Sequence, residues 1–115
     1  MKRVWSEANK FDKWLQVEIA VCEAWAELGR IPKEAMPKIR TARYSLTRVA
    51  EILKTTHHDM TAFVNAVSEN LGEESRFIHF GLTSSDVMDT ALSLQLKESA
   101  QILARDIAEL IIVLE

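Results

Sequence analysis

With 115 residues, 48% of them apolar, and a formal charge of −3, the chain is long enough for one small domain with a real core but short for an enzyme with a deep cleft. Only three glycines and two prolines stand against many Ala, Leu, Glu and Lys, which favours helix and excludes a β-sandwich or barrel. There is no basic run and no aromatic–basic interleaving, which argues against nucleic-acid binding, and a single cysteine, Cys22, excludes an internal disulfide and suits a reducing compartment.

No signal-peptide pattern opens the chain, so a soluble, cytoplasmic protein is expected. The first helix is predicted from about Glu7 to Leu28, with Ser6 as N-cap and Gly29 just past its end. Phe11, Trp14, Leu15, Val21, Ala24, Trp25 and Leu28 recur at helical spacing. Trp14 and Trp25 fall on one stripe, and core packing is the expected role of both. Pro32 suits the first turn of a short second element, while Pro37 disfavours helix at Met36. A third helix fits Leu46 to Lys54, capped by Ser45, with Val49, Ile52 and Leu53 as its apolar face.

A fourth helix fits His57 to Asn70, with Thr56 and Asp59 as a variant capping box and Met60, Phe63, Val64, Val67 and Leu71 as the buried stripe up to Gly72. Residues 73 to 82 read as a connection. The last helix starts near Ser84 and keeps its apolar periodicity through Val87, Ala91, Ile102, Leu103, Ile107, Leu110, Ile111 and Leu114 with no stop signal. Arg105, Asp106 and Glu109 interrupt it, so it is not a membrane span. A helix this long needs neighbours along its length, and the short helices before it cannot cover some 45 Å at 1.5 Å per residue. The chain is therefore expected either to be part of something larger or to assemble through this helix. The expected organisation is all-α: short N-terminal helices over residues 1–82, then residues 83–115 as the first part of a long helix of a central helical bundle.

Two clusters could carry chemistry. In "TTHHDM", residues 55–60, His57 and His58 would point about 100° apart on a helix, which is poor geometry for a shared metal. Asp59 there complements the helix dipole, and the histidines are either solvated or placed in a cleft, where His58 would suit proton transfer or anion binding. In "FIHFGLTSSD", residues 77–86, Gly81 permits close approach and one of Thr83, Ser84 or Ser85 suffices as a cap. The surplus hydroxyls beside helix N–H groups are either an over-provided cap or a carboxylate or phosphate grip. Asp86 and Asp89 argue against a simple anion hole.

"FIHFGLTSSDVMDTALSLQL", "WSEANKFDKWLQVEIAVCEAWAELGRIP" and "TTHHDMTAFVNAV" together resemble the N-terminal region of adenylosuccinate lyases, within the fumarase and aspartase superfamily. The resemblance covers essentially the whole chain. It implies elimination of fumarate from adenylosuccinate, giving AMP, and from the succinylated carboxamide ribotide of purine biosynthesis, with no metal or organic cofactor. It implies that His58 sits beside the reacting centre, that Thr83 and Ser84 hold the succinyl carboxylates, that His79 reaches the nucleotide phosphate and that His57 and Asp59 flank His58. At the position of His57 the family usually has Arg, Lys or Asn. Asp86 is implied to order the turn. The resemblance further implies a homotetramer built on bundled central helices. It places a general-acid histidine and a general-base serine on later segments that this chain lacks, and an Arg-Tyr pair ahead of its start, so the 115 residues alone are expected to be inactive. The competing readings are a helical interaction module dimerising through the last helix, and a cycloisomerase-type relative.

Overall fold

The computed structural model describes all 115 residues and contains helices joined by short turns, with no strand. α1 runs from Glu7 to Glu27, and Ser6 caps it by accepting from the Asn9 N–H at 3.1 Å. It stops where expected, at Leu28 and Gly29, the glycine supplying a φ of +77°. A single 3₁₀ turn, Lys33–Ala35, leads into a one-turn helix α2, Met36–Ile39. The expected break at Met36 does not occur. Pro37 sits in the first turn of α2, where its missing N–H would have had no partner, and Met36 is helical and buried.

α3, Leu46–Thr56, and α4, Asp59–Ser68, form an antiparallel hairpin joined by His57 and His58 alone. Ser45 caps α3, and Arg48 near its start grips the Glu69 carboxylate at the end of α4 with two nitrogens, at 2.9 and 2.8 Å. Of the apolar face expected for α3, Val49 is buried and Ile52 half-buried, while Leu53 is exposed. The α4 stripe holds: Met60, Phe63, Val67 and Leu71 are buried, with Val64 at their edge. Residues Gly72–Phe77 are wound into a 3₁₀ helix, giving part of the expected connection regular structure. α5 then runs from Ser84 to Leu114.

At the centre of a mostly aliphatic core sits an aromatic cluster from α1, α4 and Tyr44, which precedes α3. The Phe63 ring is stacked on Phe11 at 5.5 Å and meets the edges of Trp14 and Tyr44 at the same separation. α5 lies along α1, burying Val87, Ala91, Gln95 and Ser99 at a repeat of four residues. Polar contacts pin that seam. Gln95 donates to the Val4 carbonyl at 2.9 Å, Asn9 donates to Val4 and to Glu98, and Lys13 pairs with Glu98. Beyond Ile102 α5 has no partner. Leu103, Ile107, Leu110, Ile111, Ile112, Val113 and Leu114 are all at least half exposed, so the far end of the helix projects from a molecule 59 Å long.

Candidate functional site

The two clusters lie at two chain reversals. His57 and His58 are not on a helix, so the expected divergence of their side chains on a helix surface does not apply. α3 continues two residues past Lys54 and ends on His57, which takes a left-handed φ of +53° and donates its N–H to the Leu53 carbonyl at 2.9 Å. His58 is the N-cap of α4. Its Nδ1 accepts from the Thr61 N–H at 3.2 Å. The Thr56–Asp59 capping box is therefore absent. Thr56 instead donates its hydroxyl to the His58 carbonyl at 3.2 Å, and Asp59 Oδ1 accepts from the Met60 N–H at 2.7 Å.

The cap decides the state of the His58 ring. Because Nδ1 receives a hydrogen, the neutral ring carries its own proton on Nε2. His58 is exposed, so its Nε2–H is a hydrogen-bond donor available at the surface.

The second cluster is built from α1 outward. Glu18, Cys22 and Trp25 project from one face of α1 and hold successive points of the loop at residues 77–81. The Cys22 thiol contacts the Phe77 carbonyl at 3.4 Å, and burial, with the nearby Glu18 and Glu23 carboxylates, pushes that thiol up to about 11. Such a thiol is a small packing group rather than a nucleophile. Trp25 Nε1 donates to the Phe80 carbonyl at 3.1 Å. Gly81, at a φ of +73°, passes directly over the Trp25 ring. Trp14 is buried in the core as expected, and Trp25, half-buried and packed against that core, also clamps the loop.

The central clamp is Glu18, which is fully buried. Its two oxygens take the His79 N–H at 2.9 Å and the His79 Nδ1 at 2.6 Å. His79 itself has a left-handed φ of +65°. Sequence reasoning passed over Glu18. The available signal was its position among Trp14, Val17 and Cys22 on the apolar stripe of α1, where an acidic side chain must find donors or stay out of the core.

At the start of α5, Thr83 is the cap residue. Asp86 Oδ2 accepts from the Thr83 N–H at 2.8 Å and from its hydroxyl at 3.1 Å, half of a capping box. These two bonds, with a smaller contribution from His79, hold the Asp86 carboxyl below its usual range. Asp86 thus orders the turn, as the resemblance implies. Thr83 is exposed and Ser84 half-exposed at a helix start whose first N–H groups lack carbonyl partners. A groove of about 770 Å³ runs beside it, lined chiefly by apolar side chains of α1 and by Trp25, Gly81, Leu82 and Leu94.

No hydrogen bond or ion pair connects His57, His58 and Asp59 to His79, Thr83 and Ser84. No cluster of three or more His, Cys, Asp or Glu side chains is arranged to hold a metal ion.

A family model described as lyase matches residues 1–115. This chain belongs to the lyase family. The adenylosuccinate lyase of Bacillus subtilis (strain 168) is 53% identical over 108 residues, covering 93% of the chain and 25% of the relative. That of Aquifex aeolicus (strain VF5) is 53% identical over 111 residues, again covering 93% and 25%. Coverage of that extent necessarily takes in both clusters. The crystal structure of a fumarate lyase from Mesorhizobium sp. BNC1 superposes with a TM-score of 0.81 at 26% identity, covering 90% of this chain and 26% of the other. The chain spans about a quarter of the length of the curated relatives it matches.

Proposed function

We propose that this chain is the N-terminal segment of an adenylosuccinate lyase, a cytoplasmic enzyme that breaks a C–N bond to release fumarate from adenylosuccinate and from the succinylated carboxamide ribotide. The observation that carries the reading is the 53% identity to adenylosuccinate lyases across nearly the whole chain. Two local features support it.

The first is the start of α5. Elimination begins with loss of a proton next to a carboxylate, and the negative charge that develops needs positioned donors more than a reactive group. The first N–H groups of α5 and the hydroxyl of Ser84 are such donors, and the Thr83 hydroxyl, which here donates to Asp86 Oδ2, would join them by turning its hydrogen to the substrate carboxylate. The second is His58. Its Nε2–H would hydrogen-bond the substrate beside the departing nitrogen and assist the acid that protonates it. His79 would meet the nucleotide phosphate, and His57 and Asp59 would flank His58. A histidine at position 57, when protonated, can supply the charge of the basic residue usual there in the family. Residues 1–82 would form the helical N-terminal portion, and residues 83–115 the first strut of a central bundle that builds a homotetramer. The principal acid and base would come from later parts of the protein, so the 115 residues alone are expected to be inactive.

The test is adenylosuccinate cleavage, followed by ultraviolet absorbance, in the full-length protein and its His58→Gln variant. Activity with a large loss in the variant supports the reading. Undiminished activity in the variant removes His58 from the site. A folded wild type without activity overturns the lyase assignment.

A further inference from the structure

We infer that Glu18 is a positioning residue for His79: from within the core it fixes the tautomer and orientation of the imidazole so that Nε2 faces the ligand. The inference rests on the proposed lyase reading for the identity of that ligand, the anionic phosphate of a nucleotide. Its geometry does not depend on that reading.

A fully buried carboxylate must be met by donors. Glu18 finds both of its hydrogen-bonding donors in one residue, sixty-one positions away: the backbone N–H and ring Nδ1 of His79. Holding the turn alone would need only the backbone bond. The second bond acts on the ring. With Glu18 as a carboxylate, which only accepts, the hydrogen of this bond lies on Nδ1. Nε2, on the opposite side of the ring, is left for the solvent-facing side, consistent with a side chain 23% exposed. The left-handed backbone at residue 79 is held by the same carboxylate, which sets the direction from which the ring emerges. This arrangement is the reverse of that at His58. There Nδ1 accepts and Nε2 carries the proton, so the two histidines present opposite tautomers.

Glu18→Gln is the discriminating variant. The amide keeps the size of the side chain, and its oxygen can still accept from the His79 N–H. Its NH₂ group, however, must donate to Nδ1, which moves the ring proton to Nε2. In the full-length protein, Glu18→Gln is expected to raise KM for adenylosuccinate about tenfold while kcat stays within about twofold, the pattern of lost uniform binding. Placed on His79→Ala, the same change should add less than about twofold, because its target is gone. An unchanged KM in Glu18→Gln, or an equal increment on the His79→Ala background, overturns the inference. Long-range ¹H–¹⁵N spectra of His79 in the wild-type protein decide the tautomer without any variant or substrate. A proton on Nδ1 supports the inference, and one found only on Nε2 overturns it. Should the wild type fail to cleave adenylosuccinate, the lyase reading falls while the spectra still judge the role of Glu18.

Discussion

The loop of residues 77–81 is held by close contact as much as by hydrogen bonds, and Gly81→Ala measures that contact. A left-handed backbone costs an L-residue about 1–2 kcal/mol, and Gly81 has a φ of +73°. A methyl group added there would sit 3.2 Å from Trp25 Cζ2 and 3.6 Å from Trp25 Nε1, so the indole must retreat by a few tenths of an ångström. That retreat stretches the Trp25–Phe80 hydrogen bond, now 3.1 Å. Its net worth is of the order of 0.5–1.5 kcal/mol. The expected total is about 2–3 kcal/mol. Gly29 is the matched control, because its φ is +77° and a methyl group there meets nothing within 4 Å. Gly29→Ala should therefore show only the backbone cost of about 1–2 kcal/mol.

The difference, about 1 kcal/mol, corresponds to roughly 0.5–1 M in the urea midpoint for a protein of this size. Tryptophan fluorescence follows the unfolding directly. In the Trp25→Ala background the obstacle is gone, and the two alanine variants should become equally destabilising. Equal midpoints for Gly81→Ala and Gly29→Ala in the wild-type background would refute the idea that Trp25 clamps the loop.

In the full-length protein Thr83→Ala should lower turnover about 10²-fold, the usual cost of one positioned donor, while Ser93→Ala, whose hydroxyl only returns to the Asp89 carbonyl, should leave it within about twofold; equal effects would reduce Thr83 to a cap. His58→Asn separates capping from chemistry, since Asn is a preferred N-cap: thermal stability should hold or rise by up to about 1 kcal/mol, while turnover falls by about 10² or more, and a variant that keeps its activity contradicts the role given to the imidazole. Ile107→Glu with Ile111→Glu, both at exposed positions of α5, should abolish concentration-dependent association of the chain in sedimentation velocity; association that persists would place the assembly surface elsewhere. Because its folded carboxyl titrates below the ordinary 3.8, Asp86 stabilises the turn fully above that value, and the contribution is lost as pH falls through the depressed one. Protection of the Thr83 amide from hydrogen exchange should follow that course and be weak in Asp86→Ala at every pH, and protection independent of pH would show that Asp86 does not hold the turn.

The helices were legible where periodicity and a cap coincide. Ser6 and Ser45 cap α1 and α3 as read, and the stripe from Met60 to Leu71 faces the core. The α3–α4 junction was misread for a physical reason. Thr56 is the better cap by residue preference, but His58 offers a ring nitrogen at the right place once His57 reverses the chain in a left-handed conformation, which residue preference does not anticipate. Met36 was misread because Pro37 disfavours helix before it only in the general case, and a one-turn helix places the proline in its first turn. Thr83, Ser84 and Asp86 were legible as an over-supplied helix start. The clamp beneath them was not, because it joins residues 18, 22 and 25 to residues 77, 79 and 80, and pairings at such separation leave no local pattern.

No hydrogen bond or ion pair joins the two clusters in this chain, and both open to water. Thr83 and His58 face solvent. In water, two unit charges 4 Å apart attract by only about 1 kcal/mol, and by about 4 kcal/mol at the effective dielectric near a protein surface. A carboxylate grip at the open start of α5 is therefore weak until something covers it. The part of α5 that could recruit a cover is the part without a partner, from Leu103 to Leu114. Burial of those side chains against other helices would stabilise the assembly by roughly 25 cal/mol for each Å² removed from water. On the proposed reading, the subunits recruited there would also supply the walls that exclude solvent from His58 and from Thr83 and Ser84, about 30 Å or more away along α5 at 1.5 Å per residue. Assembly and site completion are one step on that reading, and the donors at Thr83, Ser84 and His58 gain their strength only when neighbouring subunits cover them.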